Sequence, residues 1–153
     1  MFHIILFEPQ IPPNTGNIIR LSANTGAQLH LIEPLGFCLD EKSCRRAGLD
    51  YHDLVHVHLH KNLDDCVAIL GAARLFAITS HGTKSLFDQK FTAGDAFLFG
   101  SETAGLPEPV HARFAADQKL CLPMIAGNRS LNLANAASIV VYEAWRQTGF
   151  ATA

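Results

Sequence analysis

The sequence predicts an α/β fold: a parallel or mostly parallel sheet with helices on both faces, in one domain spanning residues 1–153. Three observations carry this expectation. Short apolar runs alternate along the chain with helix-length segments. Several of those runs, such as Phe2–Phe7 and Ala96–Phe99, are nearly continuous in apolar residues, as strands covered on both faces are. The chain has 153 residues, 48% of them hydrophobic, which suits one core that needs no disulfide staples.

Taken in order, Phe2–Phe7 reads as a buried strand, and Gln28–Ile32 as a second strand opened by the turn at Gly26. Between them, Pro12-Pro13 marks a helix start, because proline's missing N–H costs nothing there. Gly26 sits where a left-handed helix stop belongs. The two Asn-Thr-Gly copies, Asn14–Gly16 and Asn24–Gly26, are thus expected as punctuation at opposite ends of one helix. Asp40–Ala47 is predicted helical, with Asp40 as N-cap and Gly48 past its end. Leu54–Leu59 alternates strictly and is read as a strand. Leu63–Leu70 is a helix ending at Gly71. Leu75–Thr79, Ala96–Phe99 and Lys119–Leu122 are strands. Pro107–Phe114 is a short helix, and Leu131–Gln147 a long one closed by Gly149, with Ser130 as its natural N-cap.

Composition narrows the function classes. Charged residues make up 17% of the chain and the formal net charge is -2. A nucleic-acid partner would therefore have to rely on a local basic patch. Cys38, Cys44, Cys66 and Cys121 form no C-x-x-C pair, so reduced thiols and a cytoplasmic protein are expected. The first apolar run ends at Glu8-Pro9, too early for a signal peptide or a membrane span. No zinc, paired-carboxylate or Ser-His-Asp signature stands out, and no metal is expected. His56, His58 and His60 would share one strand face, which reads as a solvated face sooner than a metal site.

In open parallel sheets, ligands sit beyond the carboxyl ends of the strands. The loops after Thr79, Phe99 and Leu122 are therefore the places to look. The loop Gly100-Ser101-Glu102-Thr103-Ala104-Gly105 has glycine at both ends and one acid, Glu102. It lacks G-x-G-x-x-G spacing and has no Walker lysine. The stretch Leu122–Ile139 combines Ser130 with small and amide residues that allow close approach of backbone or of a flat ligand. On the first helix, Asn17, Arg20 and Asn24 fall on one face. Two amides and a guanidinium suit phosphate or ribose, although a solvated face is the ordinary reading of such a stripe. Lys42, Arg45 and Arg46 form the densest basic cluster and are candidate phosphate contacts.

The segments N-T-G-N-I-I-R (Asn14–Arg20), F-G-S-E-T-A-G-L-P (Phe99–Pro107) and R-S-L-N-L-A-N-A-A-S-I (Arg129–Ile139) together resemble the three motifs of the SPOUT class of knotted RNA methyltransferases. F-E-P-Q-I-P-P-N-T-G-N-I-I-R-L, R-R-A-G-L-D-Y-H and V-V-Y-E-A-W-R-Q narrow the resemblance to the small family that methylates the ribose 2′-oxygen of the tRNA wobble nucleotide. The resemblance spans essentially the whole chain. It implies a C-terminal trefoil knot, S-adenosylmethionine as methyl donor, a homodimer built through the last and first helices, and the tRNA anticodon arm as partner. The target it implies is cytidine or a modified uridine at position 34, in leucine tRNAs. Residue by residue, it places the donor pocket at Ile78, Gly100, Leu122 and Ser130 and the catalytic role at Arg20. Tyr142 falls at a position linked to RNA handling. Where relatives often carry arginine in the second motif this chain has Ala104, and Arg129 is the candidate replacement. The alternatives are a 2′-O-methyltransferase for another tRNA or rRNA ribose, and a non-catalytic RNA-binding dimer.

Overall fold

The structure, a computed structural model, describes residues 1–152. The strands are β1 (His3–Phe7), β2 (Gln28–Ile32), β3 (Val57–His60), β4 (Leu75–Ile78), β5 (Lys84–Ser85), β6 (Ala96–Phe99) and β7 (Lys119–Cys121). They form one sheet in the order β3-β2-β1-β6-β4-β7-β5, every neighbouring pair parallel. The helices are α1 (Pro12–Thr25), α2 (Glu41–Arg46), α3 (Tyr51–Leu54), α4 (Leu63–Leu70), α5 (Glu108–His111) and α6 (Leu133–Gln147).

Side chains alternate across a strand, so each apolar run feeds two cores. Ile4, Leu6, Leu29, Leu31 and Phe97 face α1 and α6, meeting Ile18, Ile19, Val140 and Val141. Ile5, Ile32, Ala77 and Leu98 face the other way, against Leu63 and Cys66 of α4 and Val110 of α5. Each fully buried Leu or Ile contributes about 1.5–3 kcal/mol of transfer free energy. A one-residue slip would exchange the two cores, which fixes the register. At the amino end of β6, Arg74 donates to both oxygens of the buried Asp95, from Nε at 2.8 Å and Nη2 at 2.6 Å.

Helix α1 starts at Pro12 and stops at Gly26, whose φ of 72° only glycine adopts without strain. Its first Asn-Thr-Gly copy falls in the opening turns, at the amino end as expected, with Asn14 and Thr15 buried. The second copy ends the helix as expected. Asn17, Arg20 and Asn24 do share one exposed face.

Four sequence expectations are corrected. Leu54–Leu59 is not one strand. Asp50 and Asp53 each accept the other's backbone N–H, a reciprocal cap that draws Tyr51–Leu54 into α3, and pairing begins at Val57. The Pro107–Phe114 helix is reduced to Glu108–His111. The last helix begins at Leu133, because Asn132 accepts from the N–H groups of Ala134 and Asn135; Ser130 is not its cap. The histidine face is solvated only in part: His58 is exposed and His56 half-buried. His60 is buried, His30 Nδ1 lies 2.9 Å from His60 Nε2, and His3 Nδ1 lies 3.1 Å from His30 Nε2. Burial, with His3, His58 and His60 nearby, pushes His30 down to about 3, so it is neutral at ordinary pH. The two-residue β5 gave no periodic signal at all.

The loop after β4 crosses β7 closely. At Gly82, any Cβ would stand 2.8 Å from the carbonyl carbon of Leu120. That tight crossing is consistent with the expected trefoil knot.

Gly16 sits inside α1 with ordinary helical geometry and open space where a Cβ would be. Gly16→Ala should therefore stabilise the protein by about 0.5–1 kcal/mol, since alanine loses less backbone entropy in a helix. Urea unfolding at constant slope checks this; a lower midpoint would show that the first turn of α1 is strained.

Candidate functional site

A cavity of about 620 Å³ opens beyond the carboxyl ends of β4, β6 and β7. That is within the ordinary range for small-molecule sites. Ile78, Gly100, Leu122 and Ser130, the four positions marked for a donor, all line it. They come from three strand ends and from the exposed segment 123–132 that leads into α6. Ser130 contributes from that segment rather than from a helix cap.

Backbone proximity shapes the cavity. Ser101 and Gly105 pair across the second-motif loop, closing it into a tight hairpin. A Cβ on Gly100 would stand 2.2 Å from the Gly105 carbonyl carbon, so only glycine fits there. The Ser101 hydroxyl accepts from Ala104 N–H, so the hairpin is held internally without an arginine at position 104.

The polar rim is built on one carboxylate. Glu102 Oε2 accepts from Gln10 N at 2.8 Å, and Oε1 from Ile11 N at 3.2 Å and from Asn14 Nδ2 at 3.3 Å. Asn14 Oδ1 in turn accepts from Asn132 Nδ2 at 2.9 Å. Asn132 Oδ1 then accepts the first free N–H groups of α6. One relay of polar groups thus ties all three sequence motifs together at the cavity mouth. The sequence marked Glu102 as a loop organiser but gave no sign of Asn14 as its partner. Two further cavity residues also went unmarked. His111 is buried, with Nε2 3.3 Å from the Thr79 hydroxyl, and His81 packs edge-on against it.

The basic residues form a separate group. Arg20 is exposed and donates from Nη2 to the Gly48 carbonyl at 2.6 Å, which places it against the end of α2. Lys42, Arg45 and Arg46 are exposed on α2, and Arg45 pairs with Glu41. An exposed i,i+4 pair is worth only a few tenths of a kcal/mol, so it yields readily to a phosphate. Arg20 does not line the cavity. It follows Asn14 by six residues, about 9 Å along the helix axis. Arg129 is exposed on the segment bordering the cavity. Asn135, Ile139 and Tyr142 are exposed along one side of α6, whereas Ala134 and Ala137 are buried within the chain's own core.

A parallel α/β sheet with a nucleoside-sized cavity at its strand ends and a basic helix alongside defines a nucleotide- or nucleic-acid-handling protein. The SpoU rRNA Methylase family model matches residues 1–142, and the chain belongs to that family. A tRNA (cytidine(34)-2'-O)-methyltransferase of Burkholderia ambifaria is 57% identical over 98% of this chain and 97% of its own. One from Methylovorus glucosotrophus is 52% identical over 100% and 99%. A solved structure concerned with the 2-OH methylation of C/U34 on tRNA superposes with a TM-score of 0.89 at 45% identity, covering 97% of both chains. The SpoU methyltransferase AviRb from Streptomyces viridochromogenes, in complex with AdoMet, gives 0.81 at 29% identity over 95% of this chain and 57% of that one.

Gly100→Ala should disrupt the hairpin. We expect about 1–3 kcal/mol of destabilisation from forced backbone movement, with donor binding lost beyond what the stability change explains. Urea unfolding and calorimetry on the same samples check this. Unchanged affinity would show that the loop can open without cost.

Proposed function

We propose that this chain transfers the methyl group of S-adenosylmethionine to the ribose 2′-oxygen of the tRNA wobble nucleotide, cytidine or a modified uridine at position 34. The observation that carries the reading is the convergence of Ile78, Gly100, Leu122 and Ser130 on one cavity at the strand ends. The names of the relatives at 52% and 57% identity support the same reaction. The cavity's features suit the donor: Ile78, Leu106 and Leu122 offer apolar wall, while Asn14, Thr79 and Glu102 offer polar contacts. When bound, S-adenosylmethionine supplies an electrophilic methyl carbon.

The chain's own task is alignment and charge. Holding the ribose oxygen in line with a fixed donor supplies several kcal/mol of the barrier reduction. The oxygen must also give up a proton. Guanidinium groups keep theirs in proteins, so Arg20 acts as a cation that holds the neighbouring phosphate and stabilises the developing alkoxide. The proton leaves to that phosphate or to water. Asn17, on the same face of α1, adds amide contacts, and Lys42, Arg45 and Arg46 grip the anticodon-arm backbone. Arg129 and Tyr142 complete the RNA contacts.

The acting form in this reading is one domain paired as a homodimer in the cytoplasm. The exposed Ile139 and Tyr142 on α6 support pairing through that helix. No helix among the described residues is long and apolar enough to cross a membrane. With Arg20 outside the cavity of its own chain, a partner subunit would bring the two kinds of site to bear on one nucleotide.

Mass spectrometry of tRNA after incubation with enzyme and donor tests the reaction: a methyl on the ribose of nucleotide 34 is expected, and methylation elsewhere would redirect the reading to another RNA ribose. Arg20→Ala should lower turnover on the order of 10²-fold or more while leaving donor affinity nearly intact. Arg20→Lys should fail to restore it, because the fork geometry is lost. Near-normal turnover in the lysine variant would remove Arg20 from this role.

The basic helix has its own test. Replacing Lys42, Arg45 and Arg46 together by alanine should weaken tRNA binding and lower the slope of log affinity against log salt by about 2 to 3. An unchanged slope would take α2 out of the interface.

A further inference from the structure

His30, His60 and Cys66 lie apart from the donor cavity, and their ligand atoms all fall within 4.8 Å of one another. We propose that these three side chains form a buried binding site for a zinc-class divalent ion that ties β2, β3 and α4 together. All three are at least nine-tenths buried, at 3%, 6% and 0% exposure. Cys66 belongs to the apolar core that also holds Ile5, Ile32 and Leu63, in which unpartnered polar groups are costly.

The fold builds the site from three elements. His30 and His60 project from the same face of adjacent parallel strands, since His30 pairs in register with His58 and Ile32 with His60. Cys66 descends from α4, which packs on that face. Two imidazoles and a thiol are ligands zinc takes, whereas magnesium and calcium want oxygen. Three protein ligands leave the fourth tetrahedral position for water.

The distances are compatible with closure on an ion. Zn–N bonds of about 2.0–2.1 Å and Zn–S bonds of about 2.3 Å put two nitrogens and a sulfur in tetrahedral positions about 3.3–3.6 Å apart. His30 Nδ1 and His60 Nε2 stand 2.9 Å apart, so they separate by a few tenths of an ångström while the sulfur draws in. The outer support is in place. His30's other nitrogen, Nε2, faces His3 Nδ1 at 3.1 Å, the kind of second contact that fixes a ligand imidazole's orientation. Binding releases the Cys66 thiol proton to solvent, and the ion then holds β3, which lies at the sheet edge, against α4.

The rival reading is a chain of hydrogen-bonded imidazoles and nothing more. Cys66 separates the two, because the chain from His3 through His30 to His60 does not involve it. The full-length protein, stripped with chelator, is titrated with Co(II) as a spectroscopic probe and with Zn(II). We expect one equivalent per chain, a sulfur-to-cobalt charge-transfer band, and a melting temperature raised by about 5–10 °C at a hundredfold excess over the dissociation constant. Cys66→Ala and His60→Gln, checked for folding by circular dichroism, should lose both signals. A wild-type cobalt spectrum without the sulfur band overturns the proposal, even if a variant folds poorly. So does a zinc-induced shift that persists in Cys66→Ala, which would mark an adventitious ion on exposed histidines.

Discussion

The arrangement of the site depends on one carboxylate. Glu102 accepts three hydrogen bonds from the entry to α1, two of them from backbone N–H groups just ahead of the helix. Ile11, the residue before the first turn, offers no capping side chain, and Pro12 and Pro13 bring no donors. A negative charge placed there also meets the positive end of the helix dipole. The acid that completes α1 therefore comes from a loop about ninety residues further along the chain, the loop that forms the cavity wall. Through Asn14 and Asn132 the same charge reaches the start of α6. Hydrogen bonds to an ionised group are about twice as strong as neutral ones, so the relay has a strong anchor at one end and a helix start at the other.

This relay explains how a helix that scarcely enters the cavity still belongs to the site. Asn14 lines the cavity and Arg20 does not. Both ride on one rigid helix, whose angle is set at the cavity mouth. Arg20 is steadied at its far end by the Gly48 carbonyl, beside the basic residues of α2. The strand-end cavity and the exposed basic surface are thus two ends of one mechanical unit. For a displacement at carbon, in which misalignment of about 1 Å can cost on the order of 10²-fold, such rigidity is a functional requirement.

Much of this was legible in the sequence because it is written in local signals. Continuous apolar runs gave the parallel sheet, Pro12 and Gly26 the limits of α1, and the strand-end rule the three loops that form the cavity. What was not legible is what depends on distant partners. Nothing near Asn14 in the chain shows that it bonds Glu102 and Asn132. His3 and His30 look like ordinary strand residues until the register of β1, β2 and β3 stacks them beside His60. The alternation at Leu54–Leu59 misled because the reciprocal Asp50–Asp53 cap draws Leu54 into α3 and delays pairing until Val57. Ser130 misled because either Ser130 or Asn132 could cap α6. The relay to Asn14 selects the amide, which can donate to Asn14 while accepting from the helix.

The central claim is that Glu102 and Asn132, which share no direct hydrogen bond, act as one through Asn14. A double-mutant cycle on unfolding free energy measures this directly, using Glu102→Ala, Asn132→Ala and the pair. If the relay is a single unit, breaking it at either end loses much the same stability. The double variant should then fall short of the sum of the singles by about 0.5–3 kcal/mol. Effects that add to within about 0.3–0.5 kcal/mol would show two independent caps and contradict the account.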